Sequence, residues 1–262
     1  MRLLRILDAQ PERLCYGPCG FRRLLTVHSL QHGLRSYHCP PGHNSVVSQP
    51  VLTCAPRSPY ARLNLRRNPF GELTRQERAE LAVVDVDRWL GELTQDRTAL
   101  QFLGPCGHGK TTHLLALGRM LPEAVYVYLP EDGPLPHVPA IRPLLLDEAQ
   151  RLRLRQREQV FAQGGPLLVA SHEDHTRELS RAGYRVVTEH VARAADPQRL
   201  QRLLNRRIDA SRAGSGPVPW IGQACAIDLH RRFGADIRQI ERVLYDEFQR
   251  RFQENVPWPN AI

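Results

Sequence analysis

Lysine is almost missing from this chain: of its 36 lysine and arginine residues, only Lys110 is a lysine. Whatever biased the sequence toward arginine was resisted at one position. Long apolar runs are missing too. None approaches the roughly 18 residues that a membrane-spanning helix needs, and residues 1–10 lack the apolar core of a signal peptide. The expectation is a soluble, cytoplasmic protein with no membrane partner. Without a secretory signal, the 6 cysteines are expected to be thiols or metal ligands rather than disulfides.

Acidic residues are missing from the whole stretch between Glu12 and Glu72. Residues 1–69 carry 10 arginines against Asp8 and Glu12, residues 70–192 carry 14 basic and 17 acidic groups, and residues 193–262 carry 12 basic and 8 acidic groups. The formal net charge of +9 therefore belongs to the two flanks. Electrostatic contact with DNA or another polyanion is expected there and not from the slightly acidic centre. Pro and Ser are frequent in residues 1–69 and no apolar period persists beyond Leu30, which predicts a basic, poorly ordered arm. An alternative is a start assigned too far upstream. Within the arm, Cys15 and Cys19 are followed by Cys39 and His43. Four such ligands suit a tetrahedral Zn²⁺, although an arginine-rich arm also collects Cys and His without metal.

The lone lysine sits in Gly104-Pro105-Cys106-Gly107-His108-Gly109-Lys110-Thr111, followed by Thr112. This is a complete G-x-x-x-x-G-K-[ST] phosphate-binding loop. Such a loop wraps backbone N–H groups around phosphates, and its lysine delivers a compact ammonium to the β- and γ-oxygens. A planar guanidinium is a poor substitute for that point charge. The helix N-terminus that follows favours anions, and the Thr111 hydroxyl is placed to bind Mg²⁺. The context fits: Ala99–Leu103 reads as a buried strand entering the loop, and Thr112–Leu121 has helical spacing.

The folded part is expected to begin at Asn68, with one helix over Leu73–Leu93 capped by Thr74 and Glu77. Further strands are expected at Ala124–Leu129, Ile141–Glu148, Pro166–His172 and Arg185–Val191, alternating with helices, which implies parallel βαβ units. From Asp196 onward the chain reads as helical. The domains are therefore an arm (1–69), an α/β P-loop domain (70–192) and a helical lid (193–262). Arg151, Arg153, Arg155 and Arg157 fall at alternate positions, which on one helix would split them between two faces.

Asp147 ends the apolar run Leu144-Leu145-Leu146, and 36 residues separate it from Lys110. It is the expected second anchor for Mg²⁺, with Glu148 as the base that polarises the attacking water. This order of parts resembles the AAA+ ATPases and their close P-loop relatives over about residues 70–253. The resemblance implies that Ser171 or His172, at the tip of the fourth strand, senses the γ-phosphate. It implies that Arg177 or Arg181 acts on a neighbouring subunit's nucleotide, hence a homo-oligomer, and that Arg238 in Gly234-Ala235-Asp236-Ile237-Arg238 is a second sensor. Each of these also has a plain reading as a surface or loop residue. The short run from Lys110 to Asp147 leaves little room for pore loops and speaks against a substrate-threading machine. The leading function is an ATP- and Mg²⁺-dependent hydrolase coupled to a protein or DNA partner. A slow assembly or signalling switch, and a small-molecule kinase, are the alternatives.

Overall fold

The computed structural model describes residues 59–93, 97–192 and 196–254. Residues 1–58, with the Cys15, Cys19, Cys39 and His43 set, lie outside them. Five strands form one parallel sheet: β1 (Thr98–Leu103), β2 (Val125–Tyr128), β3 (Leu144–Asp147), β4 (Leu167–Ser171) and β5 (Arg185–His190), in the order β2-β3-β4-β1-β5. A parallel sheet is covered on both faces, so its central strands read as continuous apolar runs, and every residue of β1, β3 and β4 is buried. Leu100, Phe102, Leu145 and Leu168 pack on one face against Trp89, Leu114 and Leu117. Ala99, Leu144, Leu146 and Val169 pack on the other against Phe161 and Leu179. All strands run the same way, so Leu103, Asp147 and Ser171 share the C-terminal edge, with Leu103 opposite Ser171 and Asp147 opposite Ala170. Open α/β sheets bind ligands at that edge.

The helix expected over Leu73–Leu93 is two helices, α1 (Arg75–Glu80) and α2 (Val86–Glu92). Thr74 and Glu77 form the predicted capping box at the start of α1. The break falls where Val83 and Val84 precede Asp85, whose carboxylate accepts from the Arg88 N–H at 3.2 Å. β-Branched residues resist helix, and aspartate favours a cap over an interior. The freed Ala82 and Val83 carbonyls accept hydrogen bonds from Arg206 and Arg199, both at 2.9 Å. Those arginines belong to α6 (Pro197–Ala210).

The crossovers between strands are α3 (Lys110–Gly118), α4 (Leu154–Ala162) and α5 (Thr176–Arg181). The alternate arginines do not share a helix. Arg151 lies in a short 3₁₀ turn, Arg153 precedes α4, and only Arg155 and Arg157 are inside it. Leu152 between them is buried and extended, which ends the turn.

Helices α6, α7 (Gln223–Phe233) and α8 (Ile237–Gln253) build a separate core from Leu200, Leu204, Leu229, Ile240 and Phe248. Tyr60, Leu65 and Phe70 are buried in this same core. Residues 59–69 thus depart from the poorly ordered arm read from the charge pattern: Leu65 pairs with Arg212, and Asn64 donates to the Gly214 and Gly216 carbonyls. Buried Arg207 ties this entry segment down through the Pro69 and Gly71 carbonyls and an ion pair with Glu241. Among the described residues no helix is long and apolar enough to cross a membrane.

Candidate nucleotide site

The loop from Gly104 to Gly109 joins β1 to α3. Gly107 and Gly109 have φ of 84° and 92°, a region that L-residues with a Cβ rarely adopt. A Cβ on Gly107 would also stand 2.4 Å from an Asp236 carboxylate oxygen. The loop's glycines are therefore required by backbone shape and by the close approach of the segment entering α8.

Lys110 is 5% exposed. Its ammonium donates to the Gly104 and Pro105 carbonyls at 2.9 and 3.0 Å and lies 3.3 Å from His172 Nε2. Burial lowers its pKa, and Glu148 and Asp147 oppose that. Asp147 is fully buried. One carboxylate oxygen accepts from the Tyr126 hydroxyl at 2.7 Å, while Oδ1 has no hydrogen-bond partner. Burial raises the Asp147 pKa, against the Tyr126 and Thr111 hydroxyls. An orphaned carboxylate oxygen beside a threonine hydroxyl is a hard, oxygen-only donor set of the kind Mg²⁺ takes, with its remaining positions left to water and phosphate. Among the described residues no group of three or more His, Cys, Asp or Glu side chains is gathered for a metal. A P-loop site does not need one.

Glu148 has φ of 65°, a left-handed backbone costing on the order of 1 kcal/mol in a non-glycine residue. Its Oε2 is 2.7 Å from Gln150 Nε2, 3.4 Å from Arg151 and 3.4 Å from His172 Nε2. Burial and the nearby Lys110 lower the His172 pKa, which favours its neutral form. His172 is thus the β4-tip residue presented to both Lys110 and Glu148. Ser171 is fully buried behind it, against Gln150 and His175. Arg238, in the first turn of α8, donates to Cys106 Sγ at 3.0 Å.

A cavity of about 190 Å³ is lined by Lys110, Thr111, Thr112, Glu148 and Arg238 together with Val83, Leu203 and Ile237. Arg177 and Arg181 do not line it. They are exposed on α5 and make no ion pair or hydrogen bond among the described residues.

Gln101, Gln150, His113 and Arg199 were not expected from the sequence. Gln101 is the polar residue within the otherwise apolar run Ala99–Leu103, and that was the available signal. It accepts from the His175 N–H at 2.7 Å and donates to Asp174 and Thr188, fixing the turn after β4. His113 Nδ1 meets the Gly109 carbonyl at 2.9 Å, and Arg199 meets Nε2 at 3.1 Å. The carbonyl can only accept and the guanidinium can only donate, so the ring is neutral with its proton on Nδ1. Burial holds its pKa down at about 4. The unfolded histidine, near 6.5, then binds a proton that the folded one refuses. Stability from this group is complete above pH 6.5 and is lost as pH falls toward 4, by about 3 kcal/mol in all. In urea unfolding, a His113→Gln chain is expected to lose correspondingly less stability across that interval.

No protein-family model matches the sequence, and no curated protein matches it. Solved structures do. Cdc6p from Pyrobaculum aerophilum is 14% identical, with TM-score 0.45 over 71% of this chain and 66% of that one. Domain III of the replication initiation protein DnaA from Thermotoga maritima is 12% identical, with TM-score 0.49 over 72% and 95%. The RuvB Holliday junction branch migration motor from Thermotoga maritima is 17% identical, with TM-score 0.42 over 71% and 64%. The chain spans just under two thirds of the Cdc6p and RuvB chains. The parallel strand order, the loop between β1 and α3, and Asp147 at the end of β3 followed by Glu148 give this chain a P-loop α/β fold, in line with the AAA+ resemblance of its sequence.

Proposed function

We propose that the protein binds ATP with Mg²⁺ and hydrolyses it. The observation that carries this reading is the convergence on one sheet edge of buried Lys110, the orphaned Asp147 oxygen and Glu148. Thr111 and Asp147 would hold Mg²⁺, which would supply positive charge to offset the charge that develops during phosphoryl transfer. Lys110 would bind the β- and γ-oxygens in exchange for its loop carbonyls. Glu148 would orient the attacking water and take its proton, His172 would face the γ-phosphate, and Arg238 would reach it from the lid formed by α6–α8. The test is phosphate release from ATP and Mg²⁺ without any acceptor. Binding without release would favour a slow switch, and ADP formation only with an added acceptor would favour a kinase.

Among the described residues Arg177 and Arg181 make no ion pair or hydrogen bond, which supports a role across a subunit interface. Specific activity should then rise with protein concentration. Mixing Lys110→Ala subunits with Arg177→Ala/Arg181→Ala subunits should restore hydrolysis that neither has alone. Flat activity across dilution and no rescue would leave both as surface charges.

Output to a protein or DNA partner would run through the basic flanks. Because residues 59–69 belong to the core, the informative truncation starts at Thr53, the boundary of the second structural unit, and not at Asn68. Full-length protein is expected to bind duplex DNA more tightly than this shortened chain at low salt, with the difference shrinking as salt rises through counterion release. Equal binding by both would shift the surface to the C-terminal arginines.

A further inference from the structure

We infer that Gln150 is a positioning residue for hydrolysis, joining the Glu148 carboxylate to the tip of β4; this rests on the ATPase reading above. Gln150 Nε2 donates to Glu148 Oε2 at 2.7 Å, the shortest of that oxygen's contacts. Gln150 Oε1 accepts from the Ser171 hydroxyl at 3.0 Å and from the His172 N–H at 3.3 Å. The orientation of the amide follows from chemistry. A carboxylate only accepts and a backbone N–H only donates, so the nitrogen must face Glu148 and the oxygen must face β4.

The far side of this link is itself held. Ser171 Oγ accepts from the Glu173 N–H at 3.0 Å and lies 2.9 Å from His175 Nε2. His175 Nδ1 is 3.3 Å from Glu178, which Arg157 grips through two bonds of 2.6 and 2.7 Å. Ser171 and His175 are 0% and 2% exposed, so water does not compete for these bonds. Glu148, by contrast, ends a strand on a left-handed residue and opens into a 3₁₀ turn, with no helix to fix its side chain. Arg151 and His172 reach it only at 3.4 Å. Gln150 is therefore the neutral bridge by which a fixed strand tip sets the direction of the catalytic carboxylate. A loosely held base loses the near-attack geometry that its proton transfer requires.

The experiment compares Gln150→Met, Gln150→Glu, Ser171→Ala and the Gln150→Met/Ser171→Ala double variant with wild type. It measures kcat for phosphate release, affinity for a fluorescent ATP analogue, and melting temperature. Both Gln150 variants are expected to lose about 10- to 100-fold in kcat, with analogue affinity and melting temperature near wild type. Gln150→Glu keeps the shape and the acceptor facing β4 but turns the donor facing Glu148 into a like-charged acceptor, so it breaks that link without emptying the space. Because Gln150 and Ser171 act through one link, the double variant should lose no more than Gln150→Met alone. Wild-type kcat in Gln150→Met would overturn the inference, as would full activity in Gln150→Glu, which would leave a packing role. Affinity falling in step with kcat, or losses that simply add in the double variant, would also overturn it. If wild type itself releases no phosphate, the ATPase reading fails and this inference fails with it; if only the Gln150 results disagree, the ATPase reading stands.

Discussion

A Lys110→Ala chain folds but loses about 10²- to 10⁴-fold in affinity for ATP with Mg²⁺. Removing one partner of a buried, charge-assisted contact costs roughly 3–5 kcal/mol, which converts to that range. The folded state should tolerate the change, because the ammonium's partners are the Gly104 and Pro105 carbonyls and the His172 ring, and among the described residues it closes no ion pair. Titration with a fluorescent nucleotide, alongside a melting curve, checks both halves. Retained affinity in a folded variant would remove the P-loop assignment. Lys110→Arg is the sharper control: it keeps the charge and should still fail, because a planar fork cannot replace a point charge in a cavity shaped by glycine backbone.

Glu148→Gln is expected to separate binding from turnover. Nucleotide affinity should stay near wild type while hydrolysis falls by about 10²- to 10⁴-fold, the scale of a lost general base. The amide keeps the size of the carboxylate and can turn its oxygen toward Gln150 Nε2, so local structure should hold. Single-turnover phosphate release reads the chemical step directly. Wild-type rates would take Glu148 out of the mechanism. The same variant, with ATP held and uncleaved, is the form in which to ask what co-purifies.

The parts that proved legible in the sequence are those where one physical demand dominates. Apolar runs of four to six residues became parallel strands because both sheet faces are covered, and the glycine spacing before Lys110 marked a loop that only a Cβ-free backbone can form. Thr74 and Glu77 announced a helix start through a reciprocal bond that needs nothing else from the fold. What stayed hidden depends on partners far along the chain. The break after α1 is held by arginines more than a hundred residues later, and the entry of Tyr60 and Leu65 into the C-terminal core has no local signature because Arg62, Asn64, Arg66 and Arg67 interrupt any apolar period there. Gln150 and His113 escaped notice for a related reason. Each acts through one or two hydrogen bonds whose other ends are set by loop geometry, and glutamine and histidine carry no spacing that reports it.

The clasp between α6 and the segment separating α1 from α2 has a mechanical consequence. Arg199 and Arg206 grip the Val83 and Ala82 carbonyls, so the part of the cavity wall that Ala82 and Val83 form is fastened to the C-terminal helices. Through His113, Arg199 also touches the carbonyl of Gly109 in the phosphate loop. A rotation of α6 would therefore act as a crank with two throws, one shifting the Ala82–Val83 wall of the cavity and the other pulling on the loop that ends at Gly109. The cavity wall and the glycine loop would register the same turn together.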